Sequence, residues 1–242
     1  MRPELLGLIH GPLEVLPVSS SAHLALLRGE RDHGADVALH LGAGLAFAPF
    51  EASGILERLP FHVVAAAIPA LAGVLADRAV DERLGGPRSL AAGLLLGSIA
   101  LTLADQVPGL GVRPGRARPA GPAEVPGLAV HHAVVIGLAQ VCALWPGVSR
   151  TGAVLAASRA LGHDRSQAAR IARETAVPIT LGAAAFKASR APWTRSTAAA
   201  VAGSFVSTLA ARPLTRALEA PLWPFAVYRA GLALALVRGS TR

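Results

Sequence analysis

Glu14, Ser19, Ser20, Ser21 and His23 fall within twelve residues, "LEVLPVSSSAHL" (13–24), and Ser149, Arg150 and Thr151 fall within "WPGVSRTG" (145–152). In kind, these are the side chains of a phosphate site. Arginine presents a planar fork of donors matched to phosphate oxygens, hydroxyls and freed backbone amides donate to the rest, and a helix N-terminus adds positive potential. Ser19, Ser21, Gly147, Ser149, Thr151 and Gly152 are therefore candidate substrate-binding positions. Glu14 is a carboxylate able to hold a divalent cation, and such ions bridge phosphates. If the chain turns into helix after Pro17, Ser20 and His23 lie three apart on one face, the spacing of a nucleophile and its base. Serines after a proline also cap helices, and capping and phosphate binding use the same helix end.

The elements that must hold these groups are apolar. Of 242 residues 52% are hydrophobic and only 16% charged, with mean hydropathy +0.49, whereas soluble domains carry about 25% charged residues. Too few charges remain to clothe so many apolar helices in water, so the composition predicts a polytopic membrane protein. Apolar windows cover roughly 35–50, 59–76, 89–104, 128–145, 175–189, 197–211 and 221–237. Several fall short of the ~17–25 residues that cross a bilayer, which predicts tilted, broken or re-entrant segments. The net charge of +8 comes from arginines in short connectors such as "RGERDHG" (28–34), "DRAVDERLGGPR" (77–88) and "GVRPGRARPAG" (111–121). These suit membrane-surface loops, and no nucleic-acid partner is expected. The one cysteine, Cys142, lies in an apolar run, and no cleavable signal peptide is expected at the N-terminus.

The Pro, Gly and Arg-rich stretch 108–127 divides the chain into a first repeat, 1–107, and a second, 128–242. "LPVSSSA" (16–22) aligns with "WPGVSRTG", Pro17 over Pro146 and Ser20 over Ser149, and "HLGAGLAF" (40–47) resembles "TLGAAAF" (180–186). If each repeat crosses the membrane an odd number of times, the two are inverted and their polar motifs approach from opposite sides. Irregular backbone at membrane depth survives only where protein or a wet cavity satisfies it. The expected fold is thus all-α, one membrane domain of two inverted-topology repeats with two re-entrant helical hairpins whose tips face a shared pocket.

"GLIHGPLEVLPVSSSAHL" together with "WPGVSRTGAVLAASRALGHDRSQAA" and "AVPITLGAAAF" resembles the bacterial undecaprenyl-diphosphate phosphatase family, integral membrane enzymes associated with bacitracin resistance. The resemblance implies removal of the terminal phosphate from a polyprenyl diphosphate at the bacterial cytoplasmic membrane, recycling the lipid carrier of cell-wall synthesis. It implies that Glu14 is a metal-associated acid, Ser20 a nucleophile or phosphate ligand, His23 a proton-transfer residue and Arg150 a phosphate clamp. The expected partners are the lipid substrate and the bilayer, with a homodimer left open. Two further readings stay open: a polyprenyl-phosphate transporter or flippase, because inverted repeats also build transporters, and a non-catalytic lipid-phosphate-binding relative.

The chain departs from that family's pattern at three places. His10 stands four residues before Glu14 where a second acid is usual, and His40 stands where Gln is usual before Leu-Gly. "ARIARET" (169–175) precedes "AVP" where the family continues apolar. His10 and Glu14 share a helical face and form a candidate metal pair. The resemblance implies Mg²⁺ or Ca²⁺, whereas an imidazole ligand favours Mn²⁺, Co²⁺ or Zn²⁺.

Overall fold

A computed structural model describes residues 3–28, 33–106, 129–188 and 193–239. The proposed connecting loop, 108–127, lies outside them. The described residues form ten α-helices and one 3₁₀ helix: α1 (Pro3–Val15), α2 (Ser20–Arg28), α3 (His33–Glu57), α4 (Leu59–Leu84), α5 (Pro87–Gln106), α6 (Val130–Cys142), α7 (Arg150–Ala160), α8 (Arg165–Ala188), α9 (Arg195–Ala211), the 3₁₀ helix (Arg212–Glu219) and α10 (Trp223–Gly239). No strand occurs among the described residues.

Among the described residues, three helical stretches are long and apolar enough to cross a bilayer: Gly34–Glu57, Leu59–Ala76 and Pro87–Gln106. Leu71, Leu75, Ile99 and Leu103 point away from the protein and are exposed. An outer surface of leucine and isoleucine is costly in water and unremarkable in hydrocarbon, so the molecule is an integral membrane protein. α9, with the 3₁₀ helix, meets α10 at a bend of 112°. The window 128–145 yields only the 13-residue α6, because Pro146 and Gly147 follow it.

The window 175–189 is also changed. It merges with the charged stretch before it into the single 24-residue helix α8. The charges of "ARIARET" are tolerated because each meets a partner. Glu174 accepts from Arg58 Nη2 (2.5 Å), faces His62 Nε2 (3.2 Å) and lies 3.5 Å from Arg170 Nε, while Arg173 Nε donates to Glu51 at 3.1 Å. Arg170 and Glu174, four residues apart, pair across one turn of α8.

α9 is wedged between α1 and α3. Gly7 and Gly11, four apart on α1, make that approach possible, as small residues do between membrane helices. A Cβ on Gly7 would stand 2.8 Å from the Ala200 carbonyl oxygen, and one on Gly11 would overlap the Ser207–Thr208 peptide. Ser207 Oγ enters the α1 ladder in return, accepting from Gly11 N (3.0 Å) and donating to Gly7 O (2.6 Å). Gly11→Ala should therefore lower stability by about 3 kcal/mol, the upper part of the range for overpacking, because backbone must move. Gly182→Ala, on a helix with nothing within 4 Å, should match or exceed the wild type. Thermal unfolding of both variants in detergent checks this, and equal midpoints would contradict it.

Candidate active site

The two polar motifs are the breaks between α1 and α2 and between α6 and α7. Pro17 cannot donate a ladder hydrogen bond, and Ser19 then takes a left-handed φ of 70°, an uncommon conformation for a residue with a side chain. In the second break the positive φ, 102°, falls on Gly147. α2 begins with His23 N donating to Ser19 O (3.4 Å), and α7 with Ala153 N donating to Ser149 O (2.8 Å). The helix starts thus place Ser149 opposite Ser19, one residue off the Ser20 register suggested by the sequence. Ser149 also caps α7 through its hydroxyl, which accepts from Gly152 N at 3.2 Å.

Arg229 of α10 ties the breaks together. It is fully buried, and its guanidinium donates to Pro17 O (3.0 Å) in one break and Gly147 O (2.9 Å) in the other, with a longer contact to Leu94 O (3.4 Å). Gly97 and Gly152 leave room for it: a Cβ on Gly152 would lie 3.2 Å from Nη1, and one on Gly97 would collide with the guanidinium. Gly152 therefore serves the arginine and the α7 cap. Buried backbone carbonyls freed by an irregular segment need a donor, and one arginine supplies it for both.

Glu14 stands where the breaks meet, and it is buried. One carboxylate oxygen, Oε1, accepts from Arg150 Nη2, and the other, Oε2, accepts from Ser20 Oγ at 2.8 Å. His10 Nε2 lies 3.7 Å and His40 Nε2 3.9 Å from Oε2, so the residues met are those of three helices and the second break. Arg150 is further fixed by donating from Nη1 to Ala176 O (2.9 Å) and to Thr180 Oγ1 on α8. Thr151 Oγ1 donates to the Glu14 carbonyl (3.4 Å), and Ser21 Oγ pairs with Ser19 Oγ (3.1 Å) and accepts from Gly147 N (3.4 Å).

The expected Ser20–His23 pair is not formed. Ser20 gives its hydrogen to Glu14, and His23 Nδ1 bonds the Ser19 carbonyl at 2.8 Å. A carbonyl only accepts, so Nδ1 carries the proton and Nε2 accepts from the Tyr228 hydroxyl, 2.6 Å away. Helical spacing puts Ser20 and His23 on one face, but the left-handed Ser19 presents its carbonyl to the imidazole first.

Of the residues singled out from the sequence, the structure brings Glu14, Ser20, Arg150 and His10 together, whereas His23 bonds the Ser19 carbonyl and Tyr228 instead. Sequence reasoning missed Arg229, Tyr228, Thr180 and Ser204. Arg229 and Tyr228 are adjacent polar residues in the otherwise apolar run 225–237 of α10, and an ionisable residue inside such a run is the signal that could have found them. A second polar cluster, Glu51, Arg173, Glu174 and Arg212, lines a cavity of about 270 Å³ that includes neither Glu14 nor Arg150.

Replacing Arg229 tests the arrangement. Arg229→Met leaves the carbonyls of both breaks without their donor, at about 1–3 kcal/mol for each buried unsatisfied group. Arg229→Lys keeps one charged nitrogen but cannot span both carbonyls as a fork does. The thermal midpoint in detergent should fall in the order wild type, Lys, Met. Unchanged midpoints for both variants would show that the breaks hold without Arg229.

The chain is similar to known proteins over most of its length. The sequence matches the family described as bacitracin resistance protein BacA over residues 4–235. The undecaprenyl-diphosphatase of Pelobacter propionicus is 40% identical over 210 residues, covering 76% of this chain and 72% of that protein. The proteins of the same name from Ruegeria pomeroyi and Maricaulis maris are each 34% identical over 96% of both chains. With a family match over nearly its whole length and Glu14, Ser20 and Arg150 brought together from distant segments, the chain belongs to the bacitracin resistance protein BacA family.

Proposed function

We propose that this protein is an undecaprenyl-diphosphate phosphatase of the bacterial cytoplasmic membrane, hydrolysing the lipid diphosphate to the monophosphate and inorganic phosphate. The names of its relatives favour hydrolysis over transport or mere binding. The observation that carries the reading is the carboxylate of Glu14 held between Ser20 and Arg150.

Because Ser20 donates to Glu14, its oxygen lone pairs are left for a phosphorus atom, and Glu14 is placed to take the proton as Oγ attacks the terminal phosphoryl group. The lipid monophosphate departs from that phosphorus, and water then releases the phosphate from Ser20. Arg150 aligns the diphosphate through Nε–H and the remaining Nη2 hydrogen, since Nη1 is committed to Ala176 and Thr180. His23, with its tautomer fixed by Ser19, exchanges a proton at Nε2 through Tyr228. Ser19, Ser21 and the amides at the start of α2 and α7 complete an anion-binding rim. Phosphoryl transfer is accelerated chiefly by such fixed donors, because the transition state spreads charge over the phosphoryl oxygens. A divalent cation, held by His10 and Glu14, would supply further charge stabilisation when bound.

The same reading makes α1–α2 and α6–α7 re-entrant hairpins of inverted repeats, α1–α5 and α6–α10. The packing partners support it. α1 lies on α9 as α6 lies on α4, α3 lies on α9 as α8 lies on α4, and α3 with α8 and α5 with α10 pair counterpart to counterpart. That is the pattern expected when exchanging halves maps the molecule onto itself.

Release of phosphate from undecaprenyl or farnesyl diphosphate by the purified protein tests the activity, and no release across divalent metals would overturn it. Arg150→Lys should lower kcat/KM by about 100-fold or more, the usual loss for a transition-state donor. For His23→Gln we expect kcat to fall far more than KM rises. Equal changes in both parameters would assign His23 to binding instead.

A further inference from the structure

We propose that His10, Glu14 and His40 form a three-ligand site selective for a transition-metal ion, with Ser204 and the Asp36 carbonyl as the groups that hold the two imidazoles in ligating form. One atom from each ligand lies within 4.8 Å of the others. Proton positions make this more than proximity. Ser204 Oγ spends its single hydrogen on the Leu39 carbonyl (2.6 Å), so its contact with His10 Nδ1 (3.0 Å) requires the imidazole to donate. His40 Nδ1 faces the Asp36 carbonyl at 2.8 Å and must donate too. With both Nδ1 atoms protonated, each neutral ring carries its lone pair at Nε2, and both Nε2 atoms converge on Glu14 Oε2.

Three lone-pair atoms facing one another repel unless something positive lies between them. A shared proton fits poorly, because the separations of 3.7 and 3.9 Å exceed those of a hydrogen bond. A cation with ligand bonds of about 2.0–2.2 Å fits a gap of that width after small side-chain shifts. His10 Nε2 is buried with no hydrogen-bond partner among the described residues, and His10 itself is 0% exposed. That is a cost a metal would remove. A histidine that donates its second N–H to a hydroxyl or carbonyl has the usual support of a metal ligand. Two imidazoles and one carboxylate suit Zn²⁺, Co²⁺ or Mn²⁺, whereas Mg²⁺ and Ca²⁺ prefer oxygen alone. The ion would share its carboxylate oxygen with Ser20, beside the phosphate residues of the reading above, but the inference rests on ligand geometry and is tested by metal, not turnover.

The experiment is a Co²⁺ titration of chelator-stripped protein in detergent, followed by visible absorption and by competition with Zn²⁺, Mg²⁺ and Ca²⁺. One Co²⁺ per chain is expected, displaced by equimolar Zn²⁺ and retained against about 100-fold excess Mg²⁺ or Ca²⁺. His10→Gln and His40→Gln should each weaken Co²⁺ by about tenfold or more, and Ser204→Ala, which touches no ion, by about 10-fold through the lost tautomer support. His40 is the safer variant for folding, since its side chain is 36% exposed where that of His10 is 0%. Equal competition by Mg²⁺, or wild-type Co²⁺ affinity in the folded His40→Gln protein, would overturn the site. A protein that binds Co²⁺ as expected yet releases no phosphate would sink the phosphatase reading and leave this one standing.

Discussion

The pairing of Glu14 with Arg150 constrains everything around it. A buried carboxylate is costly without a partner, and Glu14 finds one 136 residues away in sequence. Their meeting requires two helices to stop beside one another, which Pro17 and Pro146 bring about. It then requires the freed backbone to be satisfied, which Arg229 does for both breaks at once. The tight α1–α9–α3 packing follows from the same demand: Gly7, Gly11 and Gly42 bring α9 backbone against α1 and α3, and Ser204 arrives beside His10.

The all-helical membrane character and the two polar breaks were legible because both are local properties: apolar windows of spanning length, and Pro, Ser and Gly where a helix must fail. Glu14 and Arg150 stood out because a charge in an apolar run demands a reason. What was not legible depended on tertiary contacts. The Ser20–His23 pair followed from helical spacing, but a left-handed Ser19, a backbone detail that the sequence does not announce, offers His23 a nearer acceptor. Likewise, "ARIARET" signalled a conflict with its surroundings without naming Glu51, Arg58 and His62, which come from α3 and α4 and resolve it. Gly152 was read as a substrate position when the space it leaves belongs to Arg229.

Family membership and chain-specific chemistry separate at this site. Glu14, Ser20 and Arg150 belong to the motifs that carry the resemblance, whereas His10 and His40 stand where that resemblance leads one to expect an acid and an amide. The two departures are not independent. Their rings lie 5.2 Å apart, and both face the same carboxylate oxygen, so two residues far apart in sequence meet at one point in space. With both imidazoles on that side, Oε1 stays with Arg150 and Oε2 keeps its hydrogen bond from Ser20.

The central claim is that Glu14 and Arg150 act as one unit across the two breaks. A double-mutant cycle of Glu14→Gln and Arg150→Met, read as kcat/KM for phosphate release from undecaprenyl diphosphate, tests it most directly. If they act as one unit, the double variant loses little more than the worse single variant. Losses that multiply, each residue contributing its full factor independently of the other, would contradict the account.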